Sequence, residues 1–448
     1  VSAASPVLAT SAGPAPVADA GQALPAPSAP VDRILPAAGT GWWSIYGDPG
    51  LDAVMARLHT ANPTIAQAAA RLAMARADAR MTAAAGRPTL GLDASAAHAS
   101  GPLVNAAGQS GDLFTARAMA SWELDLLGRL SDERKAARQD VRAAEAALAD
   151  ATLLIEAAAA RAWFARKSAA LAAEDAGQAA RARQDVAHIA EQRQGLGLIG
   201  LTEVEAARQQ WQQAAARTRA LQFARDNATR QLVFLLGSET ADPAWSADTA
   251  GLPEMPPIPA GLPADLLDRR PDLRAAQARV AAADARLSAV HKGWLPPIAL
   301  TAVQGQASTS LGQLFASASG VLGLGAVLAL PIFDGGRQRA RVGHGKAEKG
   351  LVEAEYRERV AGALRDVYDD LQAAQMWRAE LVDARQRAGA GATLLAAAEV
   401  RAANGTIAYV QLLDARAVAF DRRIAASLIQ GESLIRLVTL QAAIGGGW

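Results

Sequence analysis

The sequence repeats itself at a spacing of 208 residues. Pro63 recurs as Pro271, Pro88 as Pro296, Gly128-Arg129 as Gly336-Arg337, Gly197 as Gly405, and Gly237 as Gly445. Five landmarks at one offset mark a tandem duplication of one structural unit, and repeats decide architecture before any local pattern does. Each unit reads as helix, two-stranded hairpin, very long helix, tight tip and long helix. The expected layout is a Pro/Ala/Ser-rich tether over 1–40, a first repeat over 41–241, a Pro-rich linker over 242–270 and a second repeat over 271–448. The hairpins fall at about 88–125 and 296–333, and the tips at about 195–202 and 403–408.

Alanine dominates a composition that is 51% hydrophobic and only 4% aromatic. Alanine is the strongest helix former and lets helix backbones approach closely. Basic and acidic residues number 45 and 44, a balance that argues against nucleic acid as a partner. The absence of cysteine removes disulfides, thiolate zinc sites and cysteine nucleophiles. The sequence opens at Val1, as a processed mature protein would. Seven prolines before residue 40 suit an extended tether.

Phe315 to Phe333 is uncharged and 19 residues long, but Gly320, Gly323, Gly325 and Pro331 oppose a spanning helix. Leu322, Leu324, Ala326 and Leu328 instead alternate with small residues, and period two reads as strand. In the first hairpin Leu90, Leu92, Ala94 and Ala96 share a face, as do Phe114, Ala116, Ala118, Ala120, Trp122 and Leu124 on its return strand. Strands of about 9–11 residues with one apolar face suit a membrane barrel. Four strands cannot close one, because the smallest membrane barrels have about 8 and an open edge in lipid is forbidden. Such a barrel must be shared, with about eight strands for a dimer and twelve for a trimer.

No proline interrupts Gly128 to Gln194, which can run as one helix of 67 residues. At 1.5 Å per residue that is roughly 100 Å, too long for a globular core. Val141, Leu148, Ile155, Ala162 and Ala169 repeat at seven, as do Val360, Val367, Ala374, Leu381 and Ala388 in the second unit. Sustained heptads mean coiled-coil packing. The fold class expected is therefore mainly α with membrane β: a long helical barrel below four strands per protomer.

Two tempting motifs lead nowhere. Gly195-Leu-Gly197-Leu-Ile-Gly200 matches a dinucleotide fingerprint, but a helix precedes it and no acidic residue follows at about 20 positions. It reads as a helix–helix turn, aligned with Asn404-Gly405-Thr406. The five histidines show no ligand spacing, so neither a metal nor another cofactor is expected, and no catalytic constellation is present. Polar residues do recur past each tip: Glu205 and Arg208 in the first unit, and Tyr409, Gln411, Asp414 and Arg416 in the second. They form either a solvated face or a ring of charge about a symmetry axis.

Trp42-Trp43 with Tyr46-Gly-Asp-Pro49, Asn62-Pro63, Trp122-Glu-Leu-Asp125 and Arg269-Arg-Pro-Asp272 resemble the outer-membrane efflux duct family, in its resistance–nodulation–division lipoprotein branch. Pro331-Ile-Phe-Asp-Gly-Gly-Arg337, Leu413-Asp-Ala415 and Gly445-Gly-Gly-Trp448 extend the likeness from about residue 40 to the C-terminus. The resemblance implies a TolC-like homotrimer with a 12-stranded outer-membrane barrel and a helical barrel across the periplasm. It implies a multidrug, toxic-compound or metal-ion exit channel, outer-membrane lipid around it, a periplasmic membrane-fusion adaptor and an inner-membrane pump. It also implies a periplasmic gate at Val410 and Asp414, completed by Arg416, Tyr409, Gln411, Glu205 and Arg208. Arg416 stands one residue before the position where the family often places its arginine, here Ala417. The tips Gly195, Gly197, Gly200, Asn404, Gly405 and Thr406 would meet the adaptor. A palmitate-bearing N-terminal cysteine belongs to that branch, and this sequence has none. A type I protein-secretion duct and, from another class, a soluble coiled-coil scaffold stay open at this point.

Overall fold

The structure, a computed structural model, describes residues 41–99, 110–243, 245, 251–258, 269–330 and 332–446. The expected tether, the loop carrying Gly101-Pro102, Asn105 and Gly108, the 259–268 part of the linker, Pro331 and Trp448 lie outside them.

The two halves repeat element for element. Helices α2 (Pro63–Ala84) and α5 (Pro271–Lys292) each have 22 residues. Helices α3 (Arg129–Gly195) and α6 (Arg337–Ala403) each have 67. Helices α4 (Leu201–Leu235) and α7 (Tyr409–Ala443) each have 35. A 3-10 turn (Trp42–Tyr46) and helix α1 (Pro49–Ala61) precede them. The landmark glycines supply the stops. At Gly197, Gly405, Gly237 and Gly445 the chain takes positive φ of 70°, 66°, 58° and 92°. The next N–H then reaches back to close the helix, as in Leu198 N to Arg193 O and Thr406 N to Arg401 O, both 2.9 Å. Left-handed glycine at that position lets the last carbonyls find donors.

Strands β1 (Thr89–Ala99), β2 (Gly111–Leu124), β3 (Ile298–Ser308) and β4 (Gly320–Leu328) form one antiparallel sheet in the order β1-β2-β3-β4. The register places the predicted faces together. Leu90 pairs with Ala120, Ala120 with Ala302, and Ala302 with Leu324. Leu92 and Leu324 are 89% and 80% exposed, so this apolar face is uncovered. The opposite face carries an Asp93–Arg117 pair at 3.0 Å and a Ser95–Thr115 hydrogen bond. Trp122 and Trp294 stand exposed at the helical end of the sheet. Strand β4 stops at Leu328, short of the expected Phe333, because its partner β3 begins at Ile298 after Pro296-Pro297. Prolines there donate nothing to extend the ladder. No described helix is long and apolar enough to cross a membrane.

The helices pack in series. Helix α3 lies between α4 and α7, and α7 lies between α3 and α6; nearer the sheet the series is α2, α3, α5, α6. Burial follows position, not sequence. Helix α3 buries 27 of its residues while its repeat twin α6 buries 8, so α6 is an edge and α3 is not. Likewise α7 buries 12 residues and its twin α4 only 4.

The largest core sits where the 3-10 turn and α1 cross α3, α4 and α7. Trp42 Nε1 donates to Glu156 at 2.8 Å, His59 meets the other Glu156 oxygen at 2.6 Å, and Tyr46 donates to Gln441 at 2.7 Å. Buried Asp48 caps α1 through the Gly50 and Leu51 N–H groups and accepts from Trp163 Nε1 and Lys167 Nζ at 3.1 and 2.9 Å. The family-like motif around Trp42 to Asp48 is thus a clamp on the middle of α3.

Candidate functional site

The helix tips and the region just past them hold the sequence-predicted site residues. The first tip is apolar: Leu196, Leu198 and Leu201 are all exposed beside Gly195, Gly197 and Gly200. The second is polar, with Asn404, Gly405 and Thr406 exposed and Thr406 Oγ1 donating to Arg401 O at 2.8 Å. Gln411 takes a capping part: its Oε1 accepts from Ala408 N at 3.2 Å, closing the first turn of α7. Tyr409 is exposed and Val410 half-buried.

The arginines act within their own hairpins. Arg208 bonds Glu191 across the first hairpin at 2.8 Å, with Glu205 at 2.9 Å beside it. Arg416 meets Glu399 across the second hairpin at 3.4 Å. Both residues of the second pair stand 208 positions after the first, so the duplication copied a hairpin staple. Within one protomer Arg416 therefore does not reach Asp414.

Asp414 faces a different partner. Withdrawal from water pushes its carboxyl above the usual range, and the charge of Arg183 on α3 draws it back. Arg183 also bonds Asp421 of α7 at 2.5 Å, and Arg217 of α4 reaches the other Asp421 oxygen at 3.2 Å. These groups line a cleft of about 540 Å³ between the two hairpins. Asp421 lies 12 residues past the start of α7, roughly 18 Å above the tip. Arg183, Arg217 and Asp421 thus tie one hairpin to the other. The sequence reading missed them. The signal was their failure to repeat: at offset 208 they fall opposite Gly391, Ala425 and Gln213.

A second cleft, of about 660 Å³, lies higher and is lined by Asp150, Arg161, Arg270, Asp272, Asp366 and Asp370 among others. Burial first, then Asp272, pushes the Asp150 carboxyl up to about 6, against the opposing charges of Arg270, Arg359 and Arg279. The fold disfavours its ionised form. Its favourable contribution is therefore full below the ordinary value of 3.8 and is lost as pH rises through about 6. Each pKa unit corresponds to about 1.4 kcal/mol, and discounting for partial exposure leaves about 1–2 kcal/mol. Asp150→Asn should raise stability by that amount near pH 8 and change it little near pH 4, read from thermal unfolding at the two pH values. An equal effect at both would exclude titration of Asp150 as the cause. No group of three or more acidic or histidine side chains suited to a metal ion occurs among the described residues.

The family model described as outer membrane efflux protein matches residues 55–238 and 262–446. Outer membrane protein OprJ of Pseudomonas aeruginosa is 29% identical over 441 residues, covering 97% of this chain and 91% of its own. Cation efflux system protein CusC of Escherichia coli is 27% identical over 414 residues, covering 91% and 88%. The solved outer-membrane channel OprN superposes with a TM-score of 0.80 at 26% identity, covering 91% of this chain and 92% of its own.

Proposed function

The chain belongs to the outer membrane efflux protein family, and on that premise we propose that it is the outer-membrane exit duct of a tripartite efflux pump. Three protomers would close head to tail, with β4 of each pairing with β1 of the next and α6 meeting α4. The observation that carries this reading is the coincidence of open edges. The sheet ends at β1 and β4, and the helical series ends at α4 and α6, with sparse burial on both. Heterologous contacts of this kind close into a ring when the rotation permits, and twelve strands make a barrel with no edge left in lipid. The scaffold alternative leaves the exposed apolar sheet face without a purpose.

In this reading the duct does no chemistry. The inner-membrane pump drives the cargo, and the apolar and polar tips dock the periplasmic adaptor. Drugs and other small toxic compounds form the cargo class, and the likeness to a cation efflux protein supports metal ions within it. Asp414, three times around the axis, narrows the periplasmic mouth with Val410, while Arg183, Arg217 and Asp421 hold one hairpin against the other. Each such partly exposed pair contributes only about 0–1 kcal/mol, so docking of an adaptor suffices to release them.

Purified protein in planar bilayers tests both levels. A trimer by mass in detergent, giving discrete conductance steps, is expected. Asp421→Ala and Asp414→Ala should raise single-channel conductance without dissociating the trimer, whereas Arg416→Ala, whose side chain is held by Glu399, should leave it unchanged. A folded monomer that needs no detergent would overturn the duct. A conductance rise in Arg416→Ala alone would overturn the assignment of the gate.

A further inference from the structure

We propose that the collar where the helices meet the sheet, formed by Trp122, Trp294, Arg87, Lys135 and Arg339, binds the phosphate headgroups of anionic phospholipids in the leaflet on the helical side. This rests on the membrane-spanning barrel proposed above and names the lipid that its helical end selects.

Indoles mark the height. Trp122 continues the apolar row of the sheet two residues past Ala120, and its Nε1 donates to Gly86 O at 3.2 Å. In the second unit the same two positions are Leu330 and Trp294. The duplication has moved the tryptophan from one chain segment to the other yet kept one in each unit, with Trp122 39% and Trp294 49% exposed. Between the strand ends and the long helices Leu126, Leu127, Ile332 and Phe333 are also exposed, the last two at 95% and 89%. Indoles settle where hydrocarbon gives way to headgroups, so the phosphates begin at this height.

The charge left over at that height is positive. Glu123 and Glu133 both hold Arg129 at 2.6 Å, and Asp132 holds Lys292 at 2.6 Å. Asp125 and Asp334 cap α3 and α6 through the N–H groups of Leu130, Ser131, Gly336 and Gln338, so the helix starts are filled by the chain's own carboxylates. Arg87, Lys135 and Arg339 are exposed, and none of them forms an ion pair with a described residue. They share the outer face. Arg87 follows Gly86, the acceptor for Trp122. Lys135 lies 28 residues, or four heptads, before Trp163, on the face of α3 that the clamp covers. Three clamps turned inward would fill the bore, so that face is the outside. Arg339 is the counterpart of Ser131, which lies one turn before Lys135 on the same face. Lys135 is roughly 9 Å from the start of α3, close to the Debye length of about 8–10 Å over which a lipid phosphate is felt. Long cationic stems lie along apolar surface and lift their heads to the phosphates. A chain of net charge +1 thus gathers cations at one height, where anionic headgroups answer them and neutral ones do not.

The full chain is reconstituted in phosphatidylcholine bilayers carrying rising fractions of phosphatidylglycerol, with one lipid or the other brominated on its acyl chains. Quenching of tryptophan fluorescence then gives the relative affinity of the two lipids at the collar. Phosphatidylglycerol should be favoured about threefold or more, and Arg87→Gln/Lys135→Gln/Arg339→Gln should bring the ratio to about one. Arg87→Lys/Arg339→Lys keeps the charge and should keep the preference. Arg193→Gln/Arg219→Gln/Arg401→Gln removes the same charge far from the sheet and should also keep it. Trp122→Phe/Trp294→Phe should abolish most of the quenching, and quenching that persists would overturn the assignment of height. A ratio of about one in the wild-type chain, or an equal fall in the distant variant, would overturn the proposal. So would loss of the preference when inorganic phosphate replaces chloride at constant ionic strength, the behaviour of a site for free phosphate. Absence of quenching by either lipid would instead sink the membrane-spanning barrel on which the proposal stands.

Discussion

Asp48→Ala should destabilise the folded chain by about 3–5 kcal/mol, the cost typical of removing one partner from a buried ion pair. The Asp48 and Lys167 side chains are 4% and 5% exposed. The substitution also removes the cap on α1 and the acceptor for Trp163 Nε1. Burial by itself raises the Asp48 carboxyl, but the hydrogen bonds from Lys167 and Trp163, the Lys167 charge and the Leu51 N–H outweigh it and hold the carboxyl below its usual range. A depressed carboxylate contributes stability above its unfolded value of 3.8 and loses it as pH falls below that. The difference between the wild-type chain and Asp48→Ala should therefore shrink below about pH 4. Asp48→Asn, which keeps the cap acceptor and the contact with Trp163, should cost less. Urea unfolding of reconstituted protein, followed by tryptophan fluorescence at neutral and acid pH, measures this. A loss below about 1 kcal/mol would mean that the clamp does not bear on the stability of α3.

Leu324→Arg should cost about 2–4 kcal/mol if its row lies near mid-membrane, since a cation on the lipid face is penalised by depth. The register sets the contrast. Leu324 continues the row Leu90, Ala120, Ala302, whereas Val303 opposes Gly323 on the other face of the same sheet. Val303→Gln should therefore change stability by less than about 1 kcal/mol. Equal costs on the two faces, measured by unfolding from lipid vesicles, would place this sheet in water.

How far the sequence carried the fold can be seen at particular residues. Glycine acts locally, so Gly128, Gly197 and Gly237 and their copies stand within two residues of a helix end, and α3 runs Arg129–Gly195 against an expected Gly128–Gln194. The stretch Leu51–Ala85, expected as one helix, is instead broken at Asn62 into α1 and α2, because Asn62 caps the new start at Pro63. Period two is equally local, and it put Leu92 and Leu322 on one face before any pairing was known. The partners of charged groups were a different matter. Asp421 finds Arg183 across 238 positions, and Asp48 finds Lys167 across 119. No short-range pattern encodes such pairs. They depend on which helix lies next to which, and that order follows from burying the α3 and α7 faces. The family resemblance offered Arg416 as a partner for Asp414 in the gate. The fold instead reproduces for it the bond that Arg208 makes in the other half.

The unbroken length of α3 has a mechanical meaning. The clamp grips the helix at Trp163 and Lys167, and the helix then continues unbroken to Gly195. From Trp163 to that end is 32 residues, roughly 50 Å of rigid rod. With the clamp as fulcrum, a tilt of about 5° sweeps the free end through roughly 4 Å, more than the width of a hydrogen bond. In the proposed duct the helix is a lever pivoted near its middle, with one arm running from Trp163 toward the sheet and the other toward the tip. Opening then requires no unfolding and no change of helix length, only a small rotation where the tryptophans sit.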